Sequence, residues 1–140
     1  MAIDMKDKID QWFAAWNSRD PQKISQFYAV DCIFEQVAAP GPTCHNRTEL
    51  VSFIKGMFYA TPDLKIEPKT TFFSDNAVCG EVVMSGTMVH SQNPKVTATG
   101  IPISMRGAYI SEWRDGLIKR HSYYQDYLAY MQLVAGPAAK

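Results

Sequence analysis

Residues 77–89, AVCGEVVMSGTMV, and 101–113, IPISMRGAYISEW, decide how this chain folds. In the first stretch Val78, Val82, Met84 and Met88 occupy even positions, while Glu81, Ser85 and Thr87 occupy odd ones. In the second, Ile103, Met105, Tyr109 and Trp113 alternate with Ser104, Arg106 and Glu112. Side chains of a strand alternate between the two faces of a sheet, so each stretch reads as a strand with one face turned to an interior. The same period of two extends outward to strands near 65–74, 77–89, 96–113 and 117–124. Asp75-Asn76, Ser91-Gln92-Asn93-Pro94 and Arg114-Asp115-Gly116 supply the turns between them. Gly100 and Pro102 predict a bend or break in the long strand.

Upstream the period changes to that of a helix. Ile9, Trp12, Phe13 and Trp16 recur at i, i+3, i+4 and i+7, which places four large apolar groups on one face of a helix from about Met5 to Asn17. Asp20-Pro21 then reads as a cap and first turn of a short second helix carrying Ile24, Phe27 and Tyr28 inward. Asp31 to Gln36 alternates as a strand, and Ala39-Pro40-Gly41-Pro42 forms a loop. Asn46-Arg47-Thr48-Glu49 has the spacing of a capping box for a third helix with Leu50, Phe53, Ile54, Met57 and Phe58 as its apolar stripe. Thr61-Pro62 ends it, because the residue before proline is disfavoured in the helical region. A short helix is expected over 127–131. Helices followed by hairpin-linked strands predict an α+β fold with a curved antiparallel sheet wrapped around N-terminal helices.

The 140 residues are 46% hydrophobic and 20% charged, so one globular domain over 1–140 is expected, with an ordered core of about 5–134. Fourteen basic residues balance fourteen acidic ones without a run of Lys or Arg, which makes nucleic acid and anionic membrane poor partners. The charged start and the lack of a long apolar span predict a cytoplasmic protein. Cys32, Cys44 and Cys79 show no paired spacing, and His45, His90 and His121 lie far apart. Neither a disulfide framework nor a metal site is expected.

The inward parities, together with Trp12, Trp16, Phe34, Phe53 and Met57 from the helices and first strand, enclose either a solid core or a lined cavity. His121, Tyr123 and Gln125 share one parity of the last strand and project inward together, as a hydrogen-bonded patch or as acid/base and oxyanion donor. Asp126 is either a helix cap or a catalyst.

Two longer patterns carry a resemblance. Trp16 to Pro21 followed by Phe27 to Glu35 resembles the opening helix pair and first strand of the ketosteroid-isomerase-like superfamily, whose architecture is a cystatin-like cone. Pro62-Asp63-Leu64, Gly86-Thr87, Thr99-Gly100 with Arg106, Arg114 to Ile118, and Tyr123-Tyr124 followed by Gln132-Leu133 resemble its SnoaL-like polyketide-cyclase branch. The resemblance spans about residues 9–133. It implies an internal apolar pocket for a small hydrophobic carbonyl compound, no metal or organic cofactor, and a homodimer formed across outer sheet faces.

The resemblance also says which chemistry to expect. The ketosteroid isomerase tyrosine falls on Trp12, its base on Gln36 and its second oxyanion donor on Tyr109 or Gly107, so that isomerisation is not expected. The central-strand residues of limonene-epoxide hydrolases fall on Val82 and Met84, both apolar. The single acid/base Asp of SnoaL-like cyclases falls on Gln125, with Asp126 as its neighbour. The resemblance thus points to proton-transfer chemistry of the cyclase or isomerase type, with Asp126, His121 and Tyr123 as catalytic candidates. Trp12, Trp16, Phe34, Gln36, Phe53, Met57, Val82, Met84, Tyr109 and Gln125 would contact the ligand. A non-catalytic ligand-binding protein and an interaction module like nuclear transport factor two are the alternatives on the same fold.

Overall fold

The computed structural model describes residues 4–39, 41–91 and 100–135. Helix α1 (Met5–Ser18) and the short α2 (Pro21–Ser25) precede strand β1 (Tyr28–Gln36), and α3 (Arg47–Ala60) follows it. Strands β2 (Lys65–Phe73), β3 (Ala77–Met88), β4 (Ile101–Arg114) and β5 (Leu117–Gln125) then run in sequence, and α4 (Tyr127–Ala135) closes the described chain.

Local chemistry sets these boundaries. Asp4 caps α1 by accepting the Asp7 N–H, and Arg19, in the left-handed region at φ 60°, ends it with an N–H bond to the Trp16 carbonyl. Asp20 accepts from the N–H groups of Gln22 and Lys23, as its place before Pro21 predicts. The box opening α3 is displaced by one residue: Asn46 accepts the Glu49 N–H, but the Glu49 carboxylate reaches the N–H of His45. The second helix is shorter than expected. Tyr28 already begins β1, because its carbonyl is held by the Arg47 guanidinium while the Phe27 carbonyl accepts from Ile118 N–H.

The sheet order is β1-β5-β4-β3-β2, with β2, β3, β4 and β5 pairing antiparallel in sequence. β1 departs from the expected antiparallel arrangement and runs parallel to β5, which makes the sheet mixed. No hairpin links these two strands, so no turn constrains their relative direction. The edges β1 and β2 do not meet, and register shifts in β1, in β2 after Pro68, and between β4 and β5 near Trp113 bend the open sheet. Pro68 lies on the edge strand β2, where a missing N–H is tolerated.

The β4–β5 hairpin turns at Asp115 and Gly116, whose φ values of 54° and 76° fit the primed turn that matches strand twist. Gly100, at φ 69°, stands just before β4; the expected strand residues 96–99 and most of the turn before them lie outside the described residues.

Burial along β4 alternates without interruption from Ile103 to Trp113, so the even positions face out and the odd ones in. The concave face is covered by Trp12, Phe13 and Trp16 of α1 and by Leu50 and Ile54 of α3. Asn17 ties α1 to β2 as a strand residue would, its amide bonding both the N–H and the carbonyl of Ile66 at 2.8 Å. Arg19 adds a bond from Nε to the Leu64 carbonyl. These contacts fix Trp12 over the sheet, where it is 2% exposed and donates its indole N–H to the Tyr28 hydroxyl.

Candidate functional site

The pairing register places the inward side chains of the sheet in rows about 7 Å apart, two residues of strand rise. The deepest row holds Val78, Ser111, His121 and Phe34, and the next holds Gly80, Tyr109, Tyr123 and Gln36. Val82, Gly107 and Gln125 follow, then Met84 and Met105. Polarity therefore concentrates at the β4–β5 side of the concave face.

Two neighbouring spaces open over these rows. The outer cavity, about 490 Å³, lies within the size range of small-molecule sites. Phe53 and Met57 of α3, Met84, Met88, Met105 and Gln125 line it, and α4 covers it with Tyr127, Tyr130, Met131 and Val134. The inner space is about 30 Å³ and is bounded by Trp12, Phe13, Trp16, Phe34, Tyr109, His121 and Tyr123. That holds about one water or one small polar group, not the body of a ligand. Gln36, Met57 and Met84 border both spaces and form the junction between them.

His121 is 6% exposed and lies between two parallel rings, Phe34 at 5.0 Å and Tyr109 at 5.8 Å between centroids. Trp12 and Tyr28 present their edges to it. With aromatic rings packed around it, burial pushes the imidazole down to about 3, so it is neutral at ordinary pH. Burial raises the hydroxyls of Tyr109 and Tyr123 to about 12, keeping both as protonated donors. The Tyr109 hydroxyl, the Tyr123 hydroxyl and His121 Nδ1 are all buried without a hydrogen-bond partner. Thr71 opposes the rise at Tyr109, yet no bond of regular geometry joins the two. Each such orphan costs about 1–3 kcal/mol, and three around one space are a concentration of unmet donors and acceptors rather than ordinary core.

The structure brings Trp12, Trp16, Phe34, Gln36, Phe53, Met57, Val82, Met84, Tyr109, His121, Tyr123 and Gln125 around these spaces. Asp126 stands apart: it is exposed, lines neither space, and accepts the N–H of Ala129 as the cap of α4. The turn from β5 into α4 carries it outward, while Gln125 keeps the inward parity. Asp126→Ala is accordingly expected to cost about 1 kcal/mol in urea denaturation, and Asp126→Asn almost nothing, because Asn caps as well as Asp.

Reasoning from the strands missed α4 as a wall of the cavity, although Tyr127, Tyr130, Met131 and Val134 stand at i, i+3, i+4 and i+7 and carried the signal. It also missed Phe13 as lining and Tyr28 as the acceptor of the Trp12 indole. Among the described residues, no acidic or basic side chain other than His121 lines either space, and no group of three His, Cys, Asp or Glu is placed to hold a metal ion. Among those residues no helix is long and apolar enough to cross a membrane.

An open, bent, mixed sheet folded over helices around a cavity defines the ketosteroid-isomerase-like class of α+β folds. Within that class the profile of the SnoaL-like domain matches residues 9–121, and the chain belongs to that family. A candidate polyketide cyclase from a Silicibacter species superposes with a TM-score of 0.83 at 18% identity, over 93% of this chain and 94% of its own. A protein with a ketosteroid isomerase-like fold from Catenulispora acidiphila, solved with trimethylamine, gives 0.77 at 16% identity over 100% and 98%. AclR, a candidate hydroxylase from Streptomyces galilaeus, gives 0.75 at 20% identity over 91% and 92%. At such identities these neighbours share the fold, and their differing descriptions illustrate that this fold carries several chemistries. None of the curated proteins matches the chain in sequence.

Proposed function

We propose that the chain binds a small, neutral, hydrophobic carbonyl compound and moves a proton on it without a cofactor. The observation that carries this reading is the set of three unpartnered polar atoms, on Tyr109, Tyr123 and His121, at the inner end of an apolar cavity. The body of the ligand fills the outer cavity, and its oxygen points toward the hydroxyls. Uncharged donors favour a neutral oxygen, since among the described residues no cation lines the cavity to balance a carboxylate.

In the reaction, a proton leaves the carbon next to the carbonyl for His121 Nδ1, the electron pair moves onto the oxygen, and the Tyr123 hydroxyl stabilises the enolate. The imidazolium returns the proton to the same or a conjugated carbon, so the step balances without an oxidant or reductant.

Binding without turnover is favoured by one observation, the lowered pKa of His121, which makes it a weak base. Deuterium exchange in heavy water separates the two readings. Hydrophobic ketones are expected to take up deuterium next to the carbonyl with the native protein and about a hundredfold more slowly with His121→Phe. Ketones that bind but do not exchange would establish the binding reading instead.

The outer face of the sheet supports a homodimer. Phe72 is 66% exposed and Ile110 52%, and the register sets them in one row through Cys79, with Tyr124 one row away and 42% exposed. Sedimentation is expected to give twice the chain mass for the native protein and the single chain mass for Ile110→Lys.

A further inference from the structure

A Cβ added at Gly107 would lie 2.0 Å from the Tyr123 hydroxyl oxygen, 2.4 Å from Cζ and 2.7 Å from Cε1. Those distances are far inside van der Waals contact, so the hydroxyl end of the phenol occupies a place over the β4 backbone that is open only above glycine. Tyr123 pairs with Tyr109, whereas Gly107 pairs with Gln125, one row nearer the outer cavity. The ring therefore leans a full row, about 7 Å along the sheet, and brings its hydroxyl beside the inward position of Gln125. That hydroxyl is buried and unpartnered. Gln125 is half-buried, lines the outer cavity, and its amide bonds no other described residue.

We propose that Gly107 seats the Tyr123 hydroxyl so that it and the Gln125 amide donate together to one carbonyl oxygen at the junction of the two spaces. The assignment rests on the pocket reading above and fixes where in the pocket the oxygen binds. A carbonyl oxygen has two lone pairs and accepts both donors at once, which a hydrocarbon cannot. Gly107 is a positioning residue here: it acts only through Tyr123.

The test uses two probes of nearly equal shape, 2-acetylnaphthalene and 2-ethylnaphthalene, titrated into the full chain. The native protein is expected to bind the ketone at least tenfold more tightly than the hydrocarbon. Gly107→Ala should erase most of that preference, as should Tyr123→Phe, and the double variant should be no worse than either. The carbonyl stretch of the bound ketone should move back toward its unbonded frequency in Gly107→Ala, a change that loss of stability alone does not produce. Gln125→Met, which leaves the glycine untouched, should lower the preference severalfold and keeps the proposal testable if Gly107→Ala does not fold. A ketone preference unchanged in Gly107→Ala, or in both Tyr123→Phe and Gln125→Met, would overturn the assignment. Binding of neither probe to the native protein would overturn the pocket reading, and the seat with it.

Discussion

Acidification from pH 7 to pH 4 is expected to destabilise the native protein by about 3 kcal/mol more than it destabilises His121→Phe. The unfolded chain's imidazole takes up a proton below its ordinary value of 6.5, whereas the folded one, held among the rings of Phe34, Tyr109, Trp12 and Tyr28, does so only near 3. Between those values the unfolded state binds more protons. Stability is therefore full above about 6.5 and is lost as pH falls toward 3.

Asp31, Glu35 and Asp63 also contribute acid sensitivity. Hydrogen bonds from Lys119, from Ser122 and from the Thr87 N–H, respectively, hold their carboxyls below the usual range. They are present in both proteins, so the difference between native and variant isolates the histidine. Urea denaturation at the two pH values measures it, and parallel losses in the two proteins would show that His121 is not buried as a neutral ring.

Tyr109→Phe combined with Tyr123→Phe is expected to raise the stability of the unliganded protein while weakening ketone binding about tenfold. Removing a buried hydroxyl that has no partner relieves its desolvation cost, about 1 kcal/mol for each. The Tyr123 hydroxyl is also a hydrogen-bond donor for the ligand, and the lost bond costs about tenfold in affinity. Ordinary core tyrosines behave in the opposite way, losing stability with the hydroxyl. Thermal denaturation and ketone titration of the double variant give both signs, and a lowered Tm with unchanged affinity would make the pair structural.

The parts of the fold that depend on period were legible in the sequence. The Ile9, Trp12, Phe13, Trp16 spacing gave a helix observed at Met5–Ser18, and the alternation from Ile103 to Trp113 is reproduced residue by residue in burial. What period does not encode was not legible. The direction of β1 beside β5 depends on two segments more than eighty residues apart, and nothing local to either specifies it.

The site divides along the same line. Parity along β5 correctly turned His121, Tyr123 and Gln125 inward, since a strand allows two choices only. Asp126, one residue further, lies at a change of element, where parity ceases to apply and the demand for a helix cap decides its place. The role of Gly107 was invisible, because it exists only once the β4–β5 register sets the Tyr123 ring over that backbone.

The methionines offer the most direct measurement of the central claim, that the cavity takes up a neutral hydrophobic ketone. Of the seven in the chain, Met57, Met84, Met88, Met105 and Met131 line the spaces described, whereas Met5 is buried on α1 away from them. With the methyl groups labelled with carbon-13, titration of 2-acetylnaphthalene is expected to shift those five signals together along one saturable curve and to leave Met5 in place. Five unmoved signals at saturating ketone, or a shift confined to Met5, would contradict the account.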